Sequence, residues 1–286
     1  MATGNFARTA VPAARGRVLQ YPLGFGERLT RVLETRGSGG PCVLLHGAGA
    51  RADRWRSGVE VLGARGIRAL ALDLPGHGFA SKGGGIDYSV AGLASFVGGA
   101  LDELGISEAT LIASSLGAHV AARLAIDRCG FATKLVLVGP TGLLPLGQEM
   151  RNSIAANLRN QTMEGVRRKL ARAVADARAV DEDWLVEEFR INNSPGAHES
   201  FEQLARYVET RLDDDSVAGD LRQGGSGCPL MVVWGANDIA VPIGTPEDVE
   251  RACGRAVVAL VPDAGHIPYV ENTEGFWRCV LPFVEE

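Results

Sequence analysis

The chain has 286 residues, of which 46% are hydrophobic and 22% are charged. This composition excludes a disordered, collagen-like or coiled-coil protein, and the length suits two domains or one large α/β unit with an insertion. The 29 Lys and Arg residues against 34 Asp and Glu residues give a net charge of −5, so we expect no nucleic-acid partner.

The sequence lacks the usual features of membrane, secreted and zinc-binding proteins. No run of about 18 apolar residues occurs, so neither a membrane span nor a membrane partner is expected. The five cysteines form no Cys-x-x-Cys pair, a pattern that favours reduced thiols in the cytoplasm and no zinc site. Residues 1–16 carry arginines without the apolar core of a signal peptide, and we interpret them as a flexible tail.

Short apolar runs alternate with helix-length segments along most of the chain. A hairpin is predicted from residues 19–21 and 29–33, with its turn at 22–26. Buried strands are predicted at 42–45, 67–72, 110–113, 135–138, 230–234 and 257–261. Helices are predicted at 52–65, 88–104, 116–129, 246–253 and 273–284. This alternation predicts an α/β fold with a mostly parallel sheet covered by helices on both faces.

One long interval interrupts this alternation. Between residues 138 and 230 no strand-like run occurs, and the segments 158–180, 183–191 and 199–212 have the composition of helices. We therefore expect a core built from residues 17–140 and 213–286, with a helical cap inserted at 141–212.

The strongest chemical signal is a serine between a predicted strand and a predicted helix. Ser115 lies in the stretch Ala-Ser-Ser-Leu-Gly, with the small residues Ala113 and Gly117 two positions away on either side. A sharp strand-to-helix turn needs small residues at these places, and it exposes the serine hydroxyl at the end of the sheet. The usual pattern is Gly-x-Ser-x-Gly, and Ala113 replaces the first glycine. This context predicts a nucleophile.

Two further residues complete a catalytic set with Ser115. Asp238 follows the predicted strand 230–234, and His266 follows the predicted strand 257–261. Parallel sheets place ligands and catalytic groups at the carboxyl ends of their strands. The chain order Ser, Asp, His is that of the α/β-hydrolase triad. We therefore predict that Ser115, Asp238 and His266 act together.

The loop after the first buried strand supplies a candidate oxyanion hole. It reads His-Gly-Ala-Gly-Ala at 46–50, and such small residues let backbone N–H groups approach a substrate oxygen. The predicted donors are the amides of Ala48 and Leu116, and one donor of this kind is worth roughly 3–4 kcal/mol in the transition state.

Five stretches together resemble the α/β-hydrolase superfamily. They are the oxyanion loop, the serine turn, Asp-Leu-Pro-Gly-His-Gly at 73–78, Trp-Gly-Ala-Asn-Asp-Ile-Ala-Val-Pro at 234–242 and Ala-Gly-His-Ile-Pro-Tyr-Val-Glu at 264–271. The insertion, with its stretches 138–143 and 188–193, is similar to the cap of the meta-cleavage product hydrolases. These enzymes split carbon–carbon bonds in ring-opened aromatic compounds.

The resemblance also implies substrate-binding residues. A cap arginine of that family grips the substrate carboxylate, and Arg190 stands at the matching place. Ser114, Ile267 and Ser57 stand where the family typically has Asn, Trp and Asn, so these three residues are expected to contact substrate.

These observations predict a serine hydrolase of small carbonyl compounds that needs no metal or organic cofactor. A carbon–carbon bond hydrolase of ring-cleavage products is the first interpretation. A carboxylesterase or lactonase would need the same triad without Arg190. A ligand-binding receptor on the same fold, with slow or vestigial turnover, is the alternative from another class. The sequence leaves open whether the chain forms a homo-oligomer.

Overall fold

The computed structural model describes residues 17–241 and 244–286. The tail predicted at 1–16 lies outside these residues. The described strands are β1 (Leu19–Phe25), β2 (Arg28–Thr35), β3 (Gly39–Leu45), β4 (Ile67–Leu72), β5 (Ala109–Ser114), β6 (Ala132–Val138), β7 (Leu230–Gly235) and β8 (Val257–Val261).

These strands form one sheet in the order β1-β2-β4-β3-β5-β6-β7-β8. β1 pairs with β2, and β2 with β4, in antiparallel orientation, whereas the pairs from β4 through β8 are parallel. The predicted mostly parallel sheet is therefore confirmed.

The turn of the N-terminal hairpin was predicted at the wrong residues. Residues 22–24 belong to β1, and the chain reverses between Phe25 and Arg28 through Gly26, whose φ is +58°. Pro22 lies within the strand because β1 is at the edge of the sheet, where a missing N–H leaves no neighbour unpaired.

Helices surround the sheet. They are α1 (Arg56–Ala64), α2 (Val90–Glu103), α3 (Leu116–Asp127), α4 (Gly147–Arg159), α5 (Met163–Ala173), α6 (Glu182–Asn192), α7 (Ala197–Thr210), α8 (Ala218–Arg222), α9 (Pro246–Cys253), α10 (Pro268–Glu271) and α11 (Thr273–Glu285). A 3-10 turn at Ala52–Trp55 precedes α1.

The central strands are buried on both faces. Successive strand residues point to opposite sides, so Val43 and Leu45 enter one core while Cys42 and Leu44 enter the other. The first core includes residues of α2 and α3, and the second includes residues of α1 and α11. This burial on both faces explains the continuous apolar runs in the sequence.

A helical segment is inserted between β6 and β7, and it contains α4 to α7. Most of α4 was not predicted from the sequence, because only Ala155 and Leu158 of this helix are buried and its residues are largely polar. The exact borders predicted for the cap, 141 and 212, stay a prediction.

No helix among the described residues is long and apolar enough to cross a bilayer. Those same residues contain no group of three or more His, Cys, Asp or Glu side chains placed to hold a metal ion.

Candidate active site

Ser115 occupies a strained turn between β5 and α3. Its φ is +55° and its ψ is −123°, a conformation that residues other than glycine rarely adopt. A hydrogen bond from the Ser115 amide to the Val138 carbonyl, 2.8 Å long, holds the turn against β6. A Cβ at position 117 would lie 2.3 Å from the His46 carbonyl oxygen, which is why Gly117 is needed there.

Asp238 and His266 form a hydrogen-bonded pair at the ends of β7 and β8. The Asp238 Oδ2 atom lies 2.8 Å from His266 Nδ1, and the Asp238 side chain is completely buried. The other carboxylate oxygen accepts hydrogen bonds from the amides of Ala240 and Val241. A fixed acceptor at Nδ1 keeps the proton of the neutral imidazole on that atom and leaves Nε2 free to take a proton.

The loops carrying this pair leave no space for larger side chains. A Cβ on Gly139, whose φ is +49°, would lie 3.0 Å from His266 Nδ1 and 3.2 Å from Asp238 Oδ2. The backbone amide of His266 donates a 2.9 Å hydrogen bond to the carbonyl of Ala173, the last residue of α5. The inserted helical segment therefore holds the histidine loop directly.

The loop after β3 is fixed by His46. The Nε2 atom of this buried residue accepts a hydrogen bond from the Leu74 amide, so its Nδ1 atom carries the proton and donates to the Gly47 carbonyl. Burial lowers the pKa of His46, which keeps the ring neutral. His46 is thus a structural residue that positions the loop containing Ala48.

The two predicted oxyanion donors lie at this same end of the sheet. Leu116 is the first residue of α3, and an N–H group in the first turn of a helix has no partner within the helix. Ala48 lines a cavity that also contains the side chains of Ser115 and His266.

That cavity has two lobes, which meet at the serine. The residues shared by both lobes are Ala48, Ser115, Lys169, Ala173 and His266. The first lobe is completed by the loop 47–50 together with Arg54, Ser114, Leu170, Glu188, Ile267 and Tyr269. The second lobe is completed by Ile154, Asn157, Leu158, Arg172, Ala240 and Val241. The inserted helices α4, α5 and α6 thus form walls of the cavity, together with the loops that follow β3, β5, β7 and β8.

A buried ion cluster closes the first lobe. Glu188 of α6 is 1% exposed, and its carboxylate contacts Arg51 at 2.8 Å, Arg54 at 2.9 Å and Lys169 at 2.9 Å. Lys169 also donates to the Gly49 carbonyl at 2.7 Å. The cluster therefore joins two inserted helices to the loop after β3.

Ion pairing explains why the buried Glu188 carboxylate stays charged. Burial opposes the charged form of Glu188, but Arg54, Lys169 and Arg51 outweigh burial and lower the pKa of Glu188 to about 2. Burial lowers the pKa of Lys169 below its usual value, although Glu188 opposes that change. At neutral pH the carboxylate is charged and serves as the shared counter-ion of the three cations.

The predicted substrate-binding residues divide into two groups. Ser114 and Ile267 line the first lobe, and their contact with substrate stays a prediction. Arg190 is exposed and lines neither lobe, a position that does not match the substrate contact implied by the resemblance. Ser57 lies on α1 and is likewise absent from both walls.

The geometry of α6 explains why Arg190 is exposed. The inward face of this helix carries Leu185, Glu188 and Asn192, which are three and four residues apart. At about 3.6 residues per turn, a residue two places after Glu188 lies on the opposite side of the helix. Arg190 is therefore directed away from the face that meets the cavity.

Aromatic residues that the sequence analysis missed support the first lobe. The Tyr269 hydroxyl lies 3.0 Å from Ser114 Oγ, and its ring stacks on Trp55 at 3.7 Å. The Arg54 guanidinium lies 4.0 Å from the centre of the Trp184 ring. The sequence offered one usable signal, since Tyr269 stands three residues after the predicted catalytic histidine.

Known proteins are similar to this chain in sequence over most of its length. A Pseudomonas putida protein, the dihydrolipoyllysine-residue acetyltransferase component of an acetoin cleaving system, is 31% identical over 91% of this chain and 68% of its own length. A 2-hydroxy-6-oxononadienedioate/2-hydroxy-6-oxononatrienedioate hydrolase of Burkholderia vietnamiensis is 28% identical over 85% of this chain and 86% of its own.

A solved structure has the same fold. The 2-hydroxy-6-oxo-6-phenylhexa-2,4-dienoate hydrolase of Rhodococcus sp. strain RHA1 superposes with a TM-score of 0.84 at 18% identity, covering 94% of this chain and 99% of that one. Residues 42–278 match the family described as the alpha/beta hydrolase family, a span that includes Ser115, Asp238 and His266. The chain therefore belongs to the α/β-hydrolase family.

Proposed function

We propose that the protein is a serine hydrolase of small carbonyl compounds that uses Ser115, His266 and Asp238. The observation that carries the proposal is the Asp238–His266 pair, 2.8 Å apart, beside a strained serine that lines the same cavity as the histidine. A serine at a sharp turn, a histidine with a fixed tautomer and a buried aspartate are the parts that nucleophilic acyl chemistry needs.

The mechanism follows from these positions. His266 takes the proton of the Ser115 hydroxyl through Nε2 while Asp238 stabilises the imidazolium that forms. The serine oxygen attacks the substrate carbonyl, and the amides of Leu116 and Ala48 stabilise the resulting oxyanion. His266 then gives its proton to the leaving group. It next takes a proton from a water molecule that attacks the acyl group, and it returns this proton to the Ser115 oxygen as the acid leaves.

Hydrolysis of a carbon–carbon bond in a ring-cleavage product is our first candidate reaction. Support comes from the relatives named as hydrolases of 2-hydroxy-6-oxo dienoates and dienedioates, which match most of this chain. The leaving group would be a carbon acid, so the substrate would tautomerise to its keto form before Ser115 attacks.

The decisive comparison uses two substrates and one variant. Purified protein would be assayed with a 2-hydroxy-6-oxohexadienoate, followed by loss of dienoate absorbance, and with p-nitrophenyl butyrate. We expect Ser115→Ala to abolish turnover of whichever substrate the wild type accepts, because the variant lacks the proposed nucleophile. Circular dichroism would check that the variant is folded. Wild-type rates in this variant would refute the assignment of the nucleophile.

Ester hydrolysis is a second candidate, favoured by two observations. Arg190 is exposed, so the carboxylate contact implied by the resemblance is missing from the described cavity. Ser114 and Ile267 occupy positions where the carbon–carbon hydrolases typically have Asn and Trp. Faster turnover of p-nitrophenyl butyrate than of the dienoate would favour this candidate.

Acyl transfer is a third candidate, favoured by the 31% identical relative that is named as an acetyltransferase component. An acyl group on Ser115 could pass to a thiol instead of water. Adding dihydrolipoamide to the p-nitrophenyl butyrate assay tests this candidate. Formation of the thioester, detected by mass spectrometry and absent with Ser115→Ala, would support transfer, whereas exclusive formation of butyrate would support hydrolysis.

A further inference from the structure

Arg172 differs from the other cations of the cavity. It lies on α5, is half-buried and lines the second lobe beside Asn157 and Val241. Within residues 17–241 and 244–286, the Arg172 guanidinium forms no hydrogen bond or ion pair. Arg54 and Lys169, which line the first lobe, are both paired with Glu188. Among the described cavity walls, Arg172 therefore carries the positive charge that is left without a counter-ion.

The cations of the first lobe already have an anionic partner. Glu188 is charged and buried in its wall, and its contacts at 2.8–2.9 Å already engage Arg51, Arg54 and Lys169. A substrate carboxylate in this lobe would have to displace Glu188 or lie beside it in a poorly solvated site. Two carboxylates that share such a site repel each other. A neutral group that accepts or donates hydrogen bonds avoids this repulsion.

Resting on the proposed function, we propose that Arg172 binds a substrate carboxylate in the second lobe, while a neutral group of the substrate occupies the first lobe. The scissile carbonyl lies between them at Ser115, where the two lobes meet. A guanidinium binds a carboxylate through two parallel, charge-assisted hydrogen bonds. The substrate class is thus a small ester or ketone with a carboxylate on one side of the reacting carbonyl only.

The test measures binding without turnover. Ser115→Ala protein would be titrated by calorimetry with three esters: monobutyl glutarate, with its carboxylate on the acid side; butanoyloxyacetate, with its carboxylate on the alcohol side; and the neutral butyl methyl glutarate. The same titrations would use the double variants that add Arg172→Gln or Arg168→Gln. Arg168 is an exposed residue of the same helix that lines neither lobe, so it is the matched control.

We expect Arg172→Gln to weaken binding of at least one of the two anionic esters by about tenfold or more, because a charge-assisted contact is lost. The neutral ester and the Arg168→Gln control should change less than about twofold, within the scatter expected of surface substitutions. Equal weakening of all three esters, no weakening of either anion, or no binding of either anion to the Ser115→Ala parent would overturn the proposal. Hydrolysis by the wild type is measured separately. Failure of the proposed function would appear as a lack of hydrolysis, whereas failure of the Arg172 proposal would appear only in the binding titrations.

Discussion

Replacing Glu188 by Gln tests the energetics of the buried cluster. The substitution keeps the shape of the side chain but leaves Arg51, Arg54 and Lys169 without their shared counter-ion. Removing one partner of a buried ion pair costs about 3–5 kcal/mol. The pKa gives a second estimate: lowering it from 4.5 to about 2 corresponds to about 3 kcal/mol of folded-state stability at neutral pH. The two estimates agree, so we expect Glu188→Gln to lower the free energy of unfolding by about 3 kcal/mol or more.

Urea unfolding of the wild type and Glu188→Gln at pH 7 would measure this difference. The matched control is Glu187→Gln, because Glu187 also pairs with Arg51 but its side chain is 60% exposed; we expect it to change the free energy of unfolding by less than about 1 kcal/mol. Since folding lowers the pKa of Glu188, its contribution is complete above pH 4.5 and disappears as the pH falls through about 2. A Glu188→Gln protein as stable as the wild type at pH 7 would refute this account of the cluster.

Three further substitutions test the site. Asp238→Asn should reduce kcat by about four orders of magnitude on any accepted substrate, because the amide no longer holds His266 in the required tautomer; a rate within tenfold of wild type would contradict the triad. Gly139→Ala should lower kcat strongly with little loss of secondary structure, since the added methyl group lies 3.0 Å from His266 Nδ1 at a φ of +49°; unchanged kinetics would mean that the loop relaxes. Arg190→Gln should leave kcat/KM within about twofold for a carboxylated dienoate, because the residue is exposed; a tenfold loss would restore its role in binding.

The sheet could be predicted from the sequence, and the triad could be proposed from it, because both depend on local patterns. The strands that precede Ser115 and Asp238 are buried, whereas β8, which precedes His266, lies at the edge of the sheet and has only Val261 buried, so its predicted burial was wrong. Each of the three appears in the sequence as an apolar run followed by small or turn-forming residues. Parallel strands then bring the loops that follow them to one end of the sheet without any further information from the sequence.

The substrate-binding wall could not be predicted in the same way. The choice between Glu188 and Arg190 depends on the rotation of α6 about its axis, and the charged residues on both sides of that helix obscure the apolar pattern that would reveal it. Arg54 and Lys169 are far apart in sequence and meet only because Glu188 lies between them. A buried counter-ion network of this kind is specified by tertiary packing and leaves no periodic signal.

The hydrogen bond from the His266 amide to the Ala173 carbonyl limits how this enzyme can be engineered or can diversify. In many modular proteins an inserted segment can be exchanged without touching the machinery beneath it. In this chain the end of α5 is part of the support of the histidine itself, and Glu271 extends that support by accepting a hydrogen bond from Ala175. A grafted insertion with a different substrate wall must therefore supply a carbonyl at the same point in space. Otherwise the recipient would gain a new pocket and lose the alignment of the histidine loop.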